Sequence, residues 1–512
     1  MVRSQAPSRG NGSLGYVTSP DAGEPYELAD DKPKEACGVF GVYAPGQPVA
    51  HLTFDGLYAL QHRGQESAGM AVSDGDMIMV DKDMGLVTNV FNDYKLAALR
   101  GHLAIGHTRY STTGSSCYNA AQPVHRSAGR ADSPSTFALA HNGNLTNTEA
   151  LAEEAGMLPG MIASDSELIA EMVARAYPTD PRSDERELEM ALLATLPRLE
   201  GAFSLTIMDE AHLIGIRDPN GFRPLCLGKL DSGWVLASET PALDVIGAHF
   251  VREIEPGEMV VIDASGIREY RPFPPERIDP KLCLFEFVYF ARPDSILYGQ
   301  EVHASRQRMG ELLAEQSPVE ADLVIGVPQT ALAAAEGFAR RSGIPYGQGL
   351  IKNNYIGRTF ISPNQQARVS AVRRKYNPLR RNLEGKRVVV VDDSIVRGTT
   401  LRGIVRMLRD AGAVEVHLRI MSPPYRWPCF YGMDTGTRAE LIAANMTIGE
   451  IRDYLVADSL AHISIENLER STGAAGAGFC TACMTGDYAI KVSPTLHKGV
   501  LEGNDMPAPD LV

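Results

Sequence analysis

The chain has few of the features that mark membrane, secreted or nucleic-acid-binding proteins. It has no uninterrupted apolar run of about 18 residues, the length that suggests a transmembrane helix, and its mean hydropathy is −0.13. Its seven cysteines are an odd and sparse set in 512 residues, so a disulfide framework is disfavoured. With 49 basic against 63 acidic residues, the net charge of −14 disfavours nucleic acid and anionic membranes as partners. We therefore expect a cytoplasmic protein whose cysteines serve catalysis or metal binding.

The length of the chain and the order of its strand-like and helix-like segments predict two main domains between short terminal segments, because one domain usually spans roughly 100 to 200 residues. Residues 1–36 are rich in turn-forming residues and lack a signal-peptide core, which predicts a disordered or removable leader. Residues 37–275 contain many short alternating segments, typical of a strand-rich α+β domain. Residues 276–490 alternate strands with helices, which predicts a parallel sheet with crossover helices. Residues 491–512 read as an extended tail.

The string VVVVDDSIVRGTT, residues 388–400, combines a buried strand with a phosphate-binding loop. Its β-branched run is typical of a strand covered on both faces, and the apolar spacing that follows predicts a helix. Gly398 allows a phosphate to approach the helix N-terminus closely, with hydroxyl donors at Ser394, Thr399 and Thr400. Asp392 and Asp393, at the carboxyl end of the strand, can hold ribose hydroxyls or hydrated Mg²⁺. The alternative is an ordinary strand-to-helix turn with an aspartate cap.

This string resembles the phosphoribosylpyrophosphate motif of type I phosphoribosyltransferases, in the version of the glutamine amidophosphoribosyltransferase family. The resemblance implies that Val396 and Arg397 belong to the same substrate loop. It also implies that Thr330, in IGVPQT, joins the two aspartates around Mg²⁺. The segment KNNYIGRTFI resembles the mobile flap of the family, which implies contacts of Lys352 and Arg358 with pyrophosphate. Without the resemblance, we would expect Lys352 and Arg358 to be solvated surface charges.

Cys37 is a candidate nucleophile at the start of ACGVFGVYAPG, although a cysteine at a strand edge is more often a small buried hydrophobe. Cleavage after Ala36 would give the thiol its own α-amino group, whose pKa of about 7.7 to 8.0 suits a base near neutral pH. An oxyanion formed by attack on an amide needs uncharged donors. Asn142 and Gly143, in HNGNL, are candidates for that role.

A site for glutamine must also bind an α-carboxylate and an α-ammonium group. Arg109, in GHTRYST, and Asp165, in SDSE, could serve, although SDSE is also a good helix-capping sequence.

Five segments in order resemble the glutaminase domain of class II amidotransferases, which are N-terminal nucleophile hydrolases: CGVFG, LQHRGQESAG, GHTRYST, HNGNL and SDSE. The resemblance implies an αββα sandwich with Cys37 as nucleophile, Asn142 with Gly143 as oxyanion hole, and Arg109 and Asp165 as the glutamine clamp. Arg63 is implied to support the glutamine site. Mature members begin at the cysteine, so the 36-residue leader is a departure that implies a propeptide and processing.

Four further cysteines could share one site: Cys283, Cys429, Cys480 and Cys483. The last two form a Cys-x-x-Cys pair. Four thiolates suit Zn²⁺ and an iron-sulfur cluster equally, and a third possibility is that all four are buried free thiols. Their contexts, LCLFEFVYF, WPCFYGMD and CTACMTGDY, resemble the branch of the amidophosphoribosyltransferases that carries a structural [4Fe-4S] cluster. Cys117 and Cys226 lie outside this set.

The combined hypothesis is an N-terminal nucleophile hydrolase sandwich followed by an α/β type I phosphoribosyltransferase domain with a mainly parallel sheet. The resemblance implies the first step of purine biosynthesis, in which glutamine, water and 5-phosphoribosyl-1-pyrophosphate give 5-phosphoribosylamine, glutamate and diphosphate. It also implies a homotetramer inhibited by purine nucleotides. The phosphoribosylpyrophosphate string argues against ammonia transfer to a sugar phosphate or an acyl-adenylate. A non-catalytic sensor of phosphoribosylpyrophosphate or nucleotides is the alternative in another class.

Overall fold

The computed structural model describes residues 37–110, 117–130, 133–157, 162, 164–178, 186–353, 375–433, 437–474 and 476–492. The expected leader, Arg358 and all but two residues of the expected tail lie outside these ranges. None of the helices in these ranges combines the length and the apolar composition of a membrane span.

The first half contains thirteen strands and seven α-helices among its described residues. The strands are β1 (Gly38–Tyr43), β2 (Ser67–Ser73), β3 (Ile78–Met84), β4 (Leu103–Arg109), β5 (Val124–Arg130), β6 (Ser133–Leu145), β7 (Gly201–Met208), β8 (Leu213–Arg217), β9 (Cys226–Leu230), β10 (Gly233–Ala237), β11 (His249–Glu253), β12 (Met259–Asp263) and β13 (Gly266–Tyr270). The helices are α1 (Val49–Ala59), α2 (Val87–Val90), α3 (Asp93–Ala98), α4 (Thr148–Glu154), α5 (Asp165–Arg175), α6 (Glu187–Thr195) and α7 (Pro241–Asp244).

These elements form an αββα sandwich, as predicted. One antiparallel sheet has the strand order β11-β9-β10-β1-β4-β2-β3 and the other has β13-β12-β8-β7-β6-β5. Val39 on β1 packs between the sheets with Ile105 and Leu236. Its neighbour Phe40 faces the other way, toward Leu57 of α1. Because successive side chains of a strand point to opposite faces, a strand covered on both sides must be apolar throughout, and β1 is.

The second half contains ten strands and eight α-helices among its described residues. The strands are β14 (Leu282–Cys283), β15 (Ile296–Leu297), β16 (Gln300–Glu301), β17 (Leu323–Gly326), β18 (Leu350–Lys352), β19 (Tyr376–Pro378), β20 (Arg387–Asp392), β21 (Glu415–Ile420), β22 (Ser459–His462) and β23 (Phe479–Cys480). The helices are α8 (Val302–Gln316), α9 (Leu332–Ser342), α10 (Arg380–Leu383), α11 (Thr399–Asp410), α12 (Ile442–Asn445), α13 (Ile448–Leu455), α14 (Ile465–Thr472) and α15 (Ala482–Thr485).

A four-stranded parallel sheet, β17-β20-β21-β22, organises this half. Val389 and Val391 of β20 pack into one core cluster and Val388 and Val390 into another, on opposite faces. The continuous β-branched run is therefore explained by burial on both sides. The helix predicted after residue 398 is α11, and it buries the expected positions Leu401, Ile404, Val405 and Leu408.

One helix lies elsewhere than its sequence pattern suggests. The segment DGLYALQHRGQ, residues 55–65, is predicted to form a helix. In the structure α1 instead spans Val49–Ala59, and the chain turns at Leu60. Arg63 donates its backbone N–H to Leu60 O at 2.9 Å and is 1% exposed. The helix ends early because buried contacts of Arg63, described below, outweigh the local helical preference of the segment.

Candidate active sites

Cys37 lies at the start of β1, 5% exposed, in a pocket of the sandwich. Its Sγ donates to Tyr110 O at 3.2 Å and accepts from Tyr110 N at 3.4 Å. Burial raises the pKa of the thiol, and the Tyr110 N–H and the Arg109 guanidinium oppose that rise. The thiol therefore needs a base that removes its proton during attack.

The same pocket contains the predicted glutamine clamp. Its lining consists of Cys37, Arg109, Tyr110, Gln122, His141, Gly143, Ser164, Asp165 and Ser166. Arg109 ends β4, and its Nη1 lies 3.7 Å from Glu66 Oε2. Asp165 begins α5, where Ser164 caps the helix by accepting from Glu167 N. A cation and an anion thus face one cavity beside the thiol, as binding of an amino acid requires.

The predicted oxyanion donors lie on β6. Asn142 is fully buried, and neither polar atom of its side chain has a hydrogen-bond partner among the described residues. A buried amide without a partner is costly, but Asn142 does not line the pocket, whereas Gly143 does. Gly143 leaves no room for a side chain, because an added Cβ would lie 2.0 Å from Ala202 O.

Arg63 supports the nucleophile from behind. Its Nε donates to Cys37 O at 3.0 Å. Its Nη1 lies 2.5 Å from Glu239 Oε1, and its Nη2 lies 2.7 Å from Glu286 Oε1. Arg63 does not line the pocket, and its guanidinium lies behind the backbone of Cys37.

A second pocket lies at the carboxyl end of β20. Its lining comprises Asp392, Ser394, Ile395, Val396, Gly398, Thr400 and Leu401. Gly398 precedes α11 with φ of +78°, and an added Cβ would lie 3.1 Å from Ile442 Cδ1. The loop thus exposes the N-terminal N–H groups of α11 to the pocket, an arrangement suited to an anion.

The two aspartates of this loop are almost fully buried. Asp392 Oδ1 accepts from Asp393 N at 2.9 Å, and Asp393 Oδ1 accepts from Ser394 Oγ at 2.8 Å. Thr330 follows β17, which pairs in parallel with β20, so Thr330 lies at the same sheet edge as the aspartates. These oxygen ligands suit Mg²⁺ in kind.

Three other residues predicted for the substrate loop and the flap do not line the second pocket: Arg397, Thr399 and Lys352. Thr399 is exposed at the start of α11, and Arg397 forms an ion pair with Glu440, so neither lines the pocket. Lys352 ends β18, opposite Tyr376, whose hydroxyl donates to Pro328 O at 3.2 Å. The strand partner of Lys352 therefore contacts the segment that carries Thr330.

Cys283, Cys429 and Cys483 pack in one core cluster, although they come from distant parts of the chain. Cys283 and Cys480 face each other in the pairing of β14 with β23. Burial, together with the neighbouring thiols, raises the pKa of Cys480 and Cys483. Burial also raises the pKa of Cys283 to about 11, against the effect of Arg223. Across the described ranges, however, no set of three or more His, Cys, Asp or Glu side chains is arranged to hold a metal ion.

Sequence reasoning missed several residues around the nucleophile. Tyr110 and Gln122 line the pocket, and Gln122 links His141 to Ser166 through hydrogen bonds of 2.7 and 2.9 Å. Glu239 and Glu286 bind Arg63. Only Tyr110 had a sequence signal for a place in the site, because it follows the predicted Arg109 directly. The other contacts join residues far apart in sequence.

Comparisons with known proteins identify two domain types in the chain. The glutamine amidotransferase domain matches residues 107–245, and the phosphoribosyl transferase domain matches residues 300–421. The amidophosphoribosyltransferase of Mycobacterium tuberculosis is 50% identical over 508 residues, 96% of this chain and 93% of that protein. The enzyme of the same name from Bacillus subtilis is 44% identical and covers 90% of this chain and 95% of its own length.

A solved structure shares the whole architecture. It is the glutamine phosphoribosylpyrophosphate amidotransferase from B. subtilis complexed with ADP and GMP, with a TM-score of 0.82 and 42% identity. The match covers 91% of this chain and 100% of that chain. With a glutaminase-type sandwich, a parallel transferase sheet and this similarity over nearly the full length, the chain belongs to the amidophosphoribosyltransferase family.

Proposed function

We propose that the chain catalyses the formation of 5-phosphoribosylamine, glutamate and diphosphate from glutamine, water and 5-phosphoribosyl-1-pyrophosphate, the first step of purine biosynthesis. The observation that carries the proposal is the convergence of Cys37, Arg109, Gly143 and Asp165 on one pocket, in a chain that also holds a loop of the phosphoribosyl type. The two sites divide the reaction into release and use of ammonia.

In the first site, Arg109 binds the α-carboxylate of glutamine and Asp165 its α-ammonium group. This places the side-chain amide beside Cys37 Sγ. Sulfur forms a bond to the amide carbon, and the developing oxyanion accepts from the Asn142 side chain and Gly143 N–H. The base that took the thiol proton gives it to the amide nitrogen as the C–N bond breaks, which releases ammonia and leaves a γ-glutamyl thioester. Water cleaves the thioester to glutamate and restores the thiol.

The base for this attack is the α-amino group that cleavage before Cys37 would create. A histidine is not required at that place. His107 does not line the pocket, and burial lowers its pKa to about 3, so this ring is too weakly basic to take the thiol proton near neutral pH. We therefore infer that residues 1–36 are a propeptide whose removal is needed for activity with glutamine.

In the second site, the backbone of Ser394 to Thr400 binds the 5-phosphate of the substrate, with Val396 and Gly398 in the loop. Asp392 and Asp393 hold the ribose hydroxyls. Lys352 and Arg358 provide positive charge toward pyrophosphate. Ammonia forms a bond to C1 as the bond from C1 to pyrophosphate oxygen breaks, and a proton is released. Mg²⁺ held near Thr330 and the aspartates would stabilise the charge of the leaving group.

The sulfur donors at Cys283, Cys429, Cys480 and Cys483 suit a [4Fe-4S] cluster. Cys283, Cys429 and Cys483 share one core cluster, and Cys480 lies opposite Cys283 in the pairing of β14 with β23. A cluster here would tie the C-terminal segment 479–483 to β14 and to the Cys429 segment, which is a structural role.

Further features follow from family membership. We propose a glutaminase domain over 37–275 and a transferase domain over 276–490 with the cluster segment at its end. We also propose a cytoplasmic homotetramer inhibited by purine nucleotides. The name of the B. subtilis structure, which includes ADP and GMP, supports nucleotide binding.

The test is pyrophosphate release from phosphoribosylpyrophosphate with Mg²⁺, using glutamine or ammonium, in the processed native enzyme and in Cys37→Ala. Native enzyme should use both nitrogen sources. Cys37→Ala should lose the glutamine-dependent rate and keep the ammonium-dependent rate. If processed native enzyme releases pyrophosphate with neither source, the sensor alternative replaces this proposal.

A further inference from the structure

Side chains from the C-terminal half lie behind the glutaminase pocket. The C-terminal half here means the described residues from Leu282 onward. Glu286 is fully buried and binds both Nη atoms of Arg63, at 3.0 and 2.7 Å. Arg63 in turn donates Nε to Cys37 O at 3.0 Å. A carboxylate 223 residues away in sequence from Arg63 therefore fixes the guanidinium that holds the nucleophile.

The buried charges around Arg63 are balanced. Arg63 and Arg223 contact Glu286, and Glu239 binds Arg63 from the sandwich side, so two positive groups meet two negative ones. Burial alone would lower the pKa of Arg63, but Glu286 and Glu239 raise it, so the guanidinium stays charged. Removing one carboxylate would leave a buried positive charge short of a partner.

The segment that carries Glu286 is itself held in place. Glu286 begins a π-helical turn, Glu286–Phe290. The fully buried Arg306 on α8 donates to Phe287 O at 2.9 Å and to Ala291 O at 2.8 Å. Hydrogen bonds from Arg306 therefore fix the turn on the core of the C-terminal half, and Glu286 at its start binds Arg63.

A second contact reaches the oxyanion side of the pocket. Gly432 has φ of +96°, and an added Cβ would lie 3.0 Å from the Cα of Gly143. Phe430 O accepts from Asn144 Nδ2 at 3.1 Å, and Tyr431 O accepts from Arg223 Nη2 at 2.8 Å. The backbone of 430–432 is thus pressed against the strand that supplies Gly143 N–H.

We propose that Glu286 and Gly432 are positioning residues of the glutaminase site: Glu286 orients Cys37 through Arg63, and Gly432 holds the oxyanion backbone at Gly143. The sandwich alone then contains the groups that touch glutamine but lacks the two contacts that align them. The inference rests on the proposed role of Cys37 as nucleophile, which the Cys37→Ala experiment tests separately.

The test compares Glu286→Gln and Gly432→Ala by steady-state kinetics with glutamine and with ammonium. The variants should lower the glutamine-dependent kcat by about tenfold or more, because a misplacement of about 1 Å can cost about 100-fold. The KM for glutamine should change by less than about threefold, since Arg109 and Asp165 are untouched. The ammonium-dependent rate should stay within about twofold, because the transferase pocket is not altered.

Matched controls separate alignment from general loss of stability. Glu189→Gln removes another buried carboxylate, which binds Arg268 and Tyr270 in the sandwich. Gly247→Ala places a side chain at another left-handed glycine, with φ of +72° and open space around it. Both controls should keep the native ratio of glutamine-dependent to ammonium-dependent rates. Glu286→Asp should recover part of the lost kcat, because it restores the charge.

The proposal is overturned if the two rates fall in parallel in both variants, or if neither rate changes. If Glu286→Gln fails to fold, Gly432→Ala decides by the same criteria. A retained glutamine-dependent rate in Cys37→Ala would instead reject the nucleophile assignment, and that outcome is independent of the kinetics of the two positioning variants.

Discussion

The backbone N–H of Leu145 donates to Oδ2 of Asp165 at 3.1 Å. Asp165 begins α5, and Leu145 ends β6, the strand of Asn142 and Gly143. The carboxylate assigned to the α-ammonium group of glutamine is therefore tied directly to the strand assigned to the oxyanion.

Asp165→Asn should raise the KM for glutamine by about 10- to 100-fold, because a hydrogen bond to a charged group contributes about 1.5 to 3 kcal/mol. The amide oxygen can still accept from Leu145 N, so the strand should stay in place. Steady-state kinetics with varied glutamine would measure the change. An equal loss of the ammonium-dependent rate would contradict a role confined to glutamine binding.

Alkylation of Cys37 in the full, unprocessed chain should be slow at neutral pH. Burial raises the thiol pKa above its ordinary value, so the reactive thiolate is scarce below that pKa. The rate with iodoacetamide should then increase about tenfold per pH unit from pH 7 toward the pKa. Mass spectrometry of the peptide containing Cys37 would give the rate. A rate independent of pH over this range would show that the thiol is already ionised.

Gly398→Ala should weaken use of phosphoribosylpyrophosphate. A residue with a Cβ at φ of +78° is strained by roughly 1 to 2 kcal/mol, and here the Cβ would also press on Ile442. The loop should move, and the KM for phosphoribosylpyrophosphate should rise with either nitrogen source. Gly385→Ala is the control, since Gly385 has φ of +73° with nothing near its Cβ position. It should lose similar stability without the change in KM.

Protein purified without oxygen should contain iron and acid-labile sulfide in the ratio of a [4Fe-4S] cluster. Cys483→Ser should lose most of that iron, because a thiolate ligand is removed from a site built of four. Cys117→Ser should retain it, since Cys117 lies outside the set. Iron and sulfide analysis with a visible absorption spectrum would decide. Zinc without sulfide in the native protein would favour the tetrahedral alternative, and absence of both metals would favour buried thiols.

Local sequence patterns determined much of the architecture. Strands buried on both faces need unbroken apolar runs, so β20 was readable from Val388 to Val391, and α11 from its helical spacing. The segments around Cys37, Arg109, Asn142, Asp165 and Asp392 contain residue types that suit the proposed chemistry, but the roles of these residues came from the resemblance of the ordered segments to a known family.

The tertiary structure alone decided what surrounds these groups. No local pattern shows that Glu286 would bind Arg63, or that Gly432 would lie against Gly143, because both contacts join residues more than 200 positions apart. The same holds for the early end of α1, where the buried ion pairs of Arg63 outweigh a helical sequence. Local preferences are small beside the cost of an unpaired buried charge, so packing between the two halves determines the positions of these side chains.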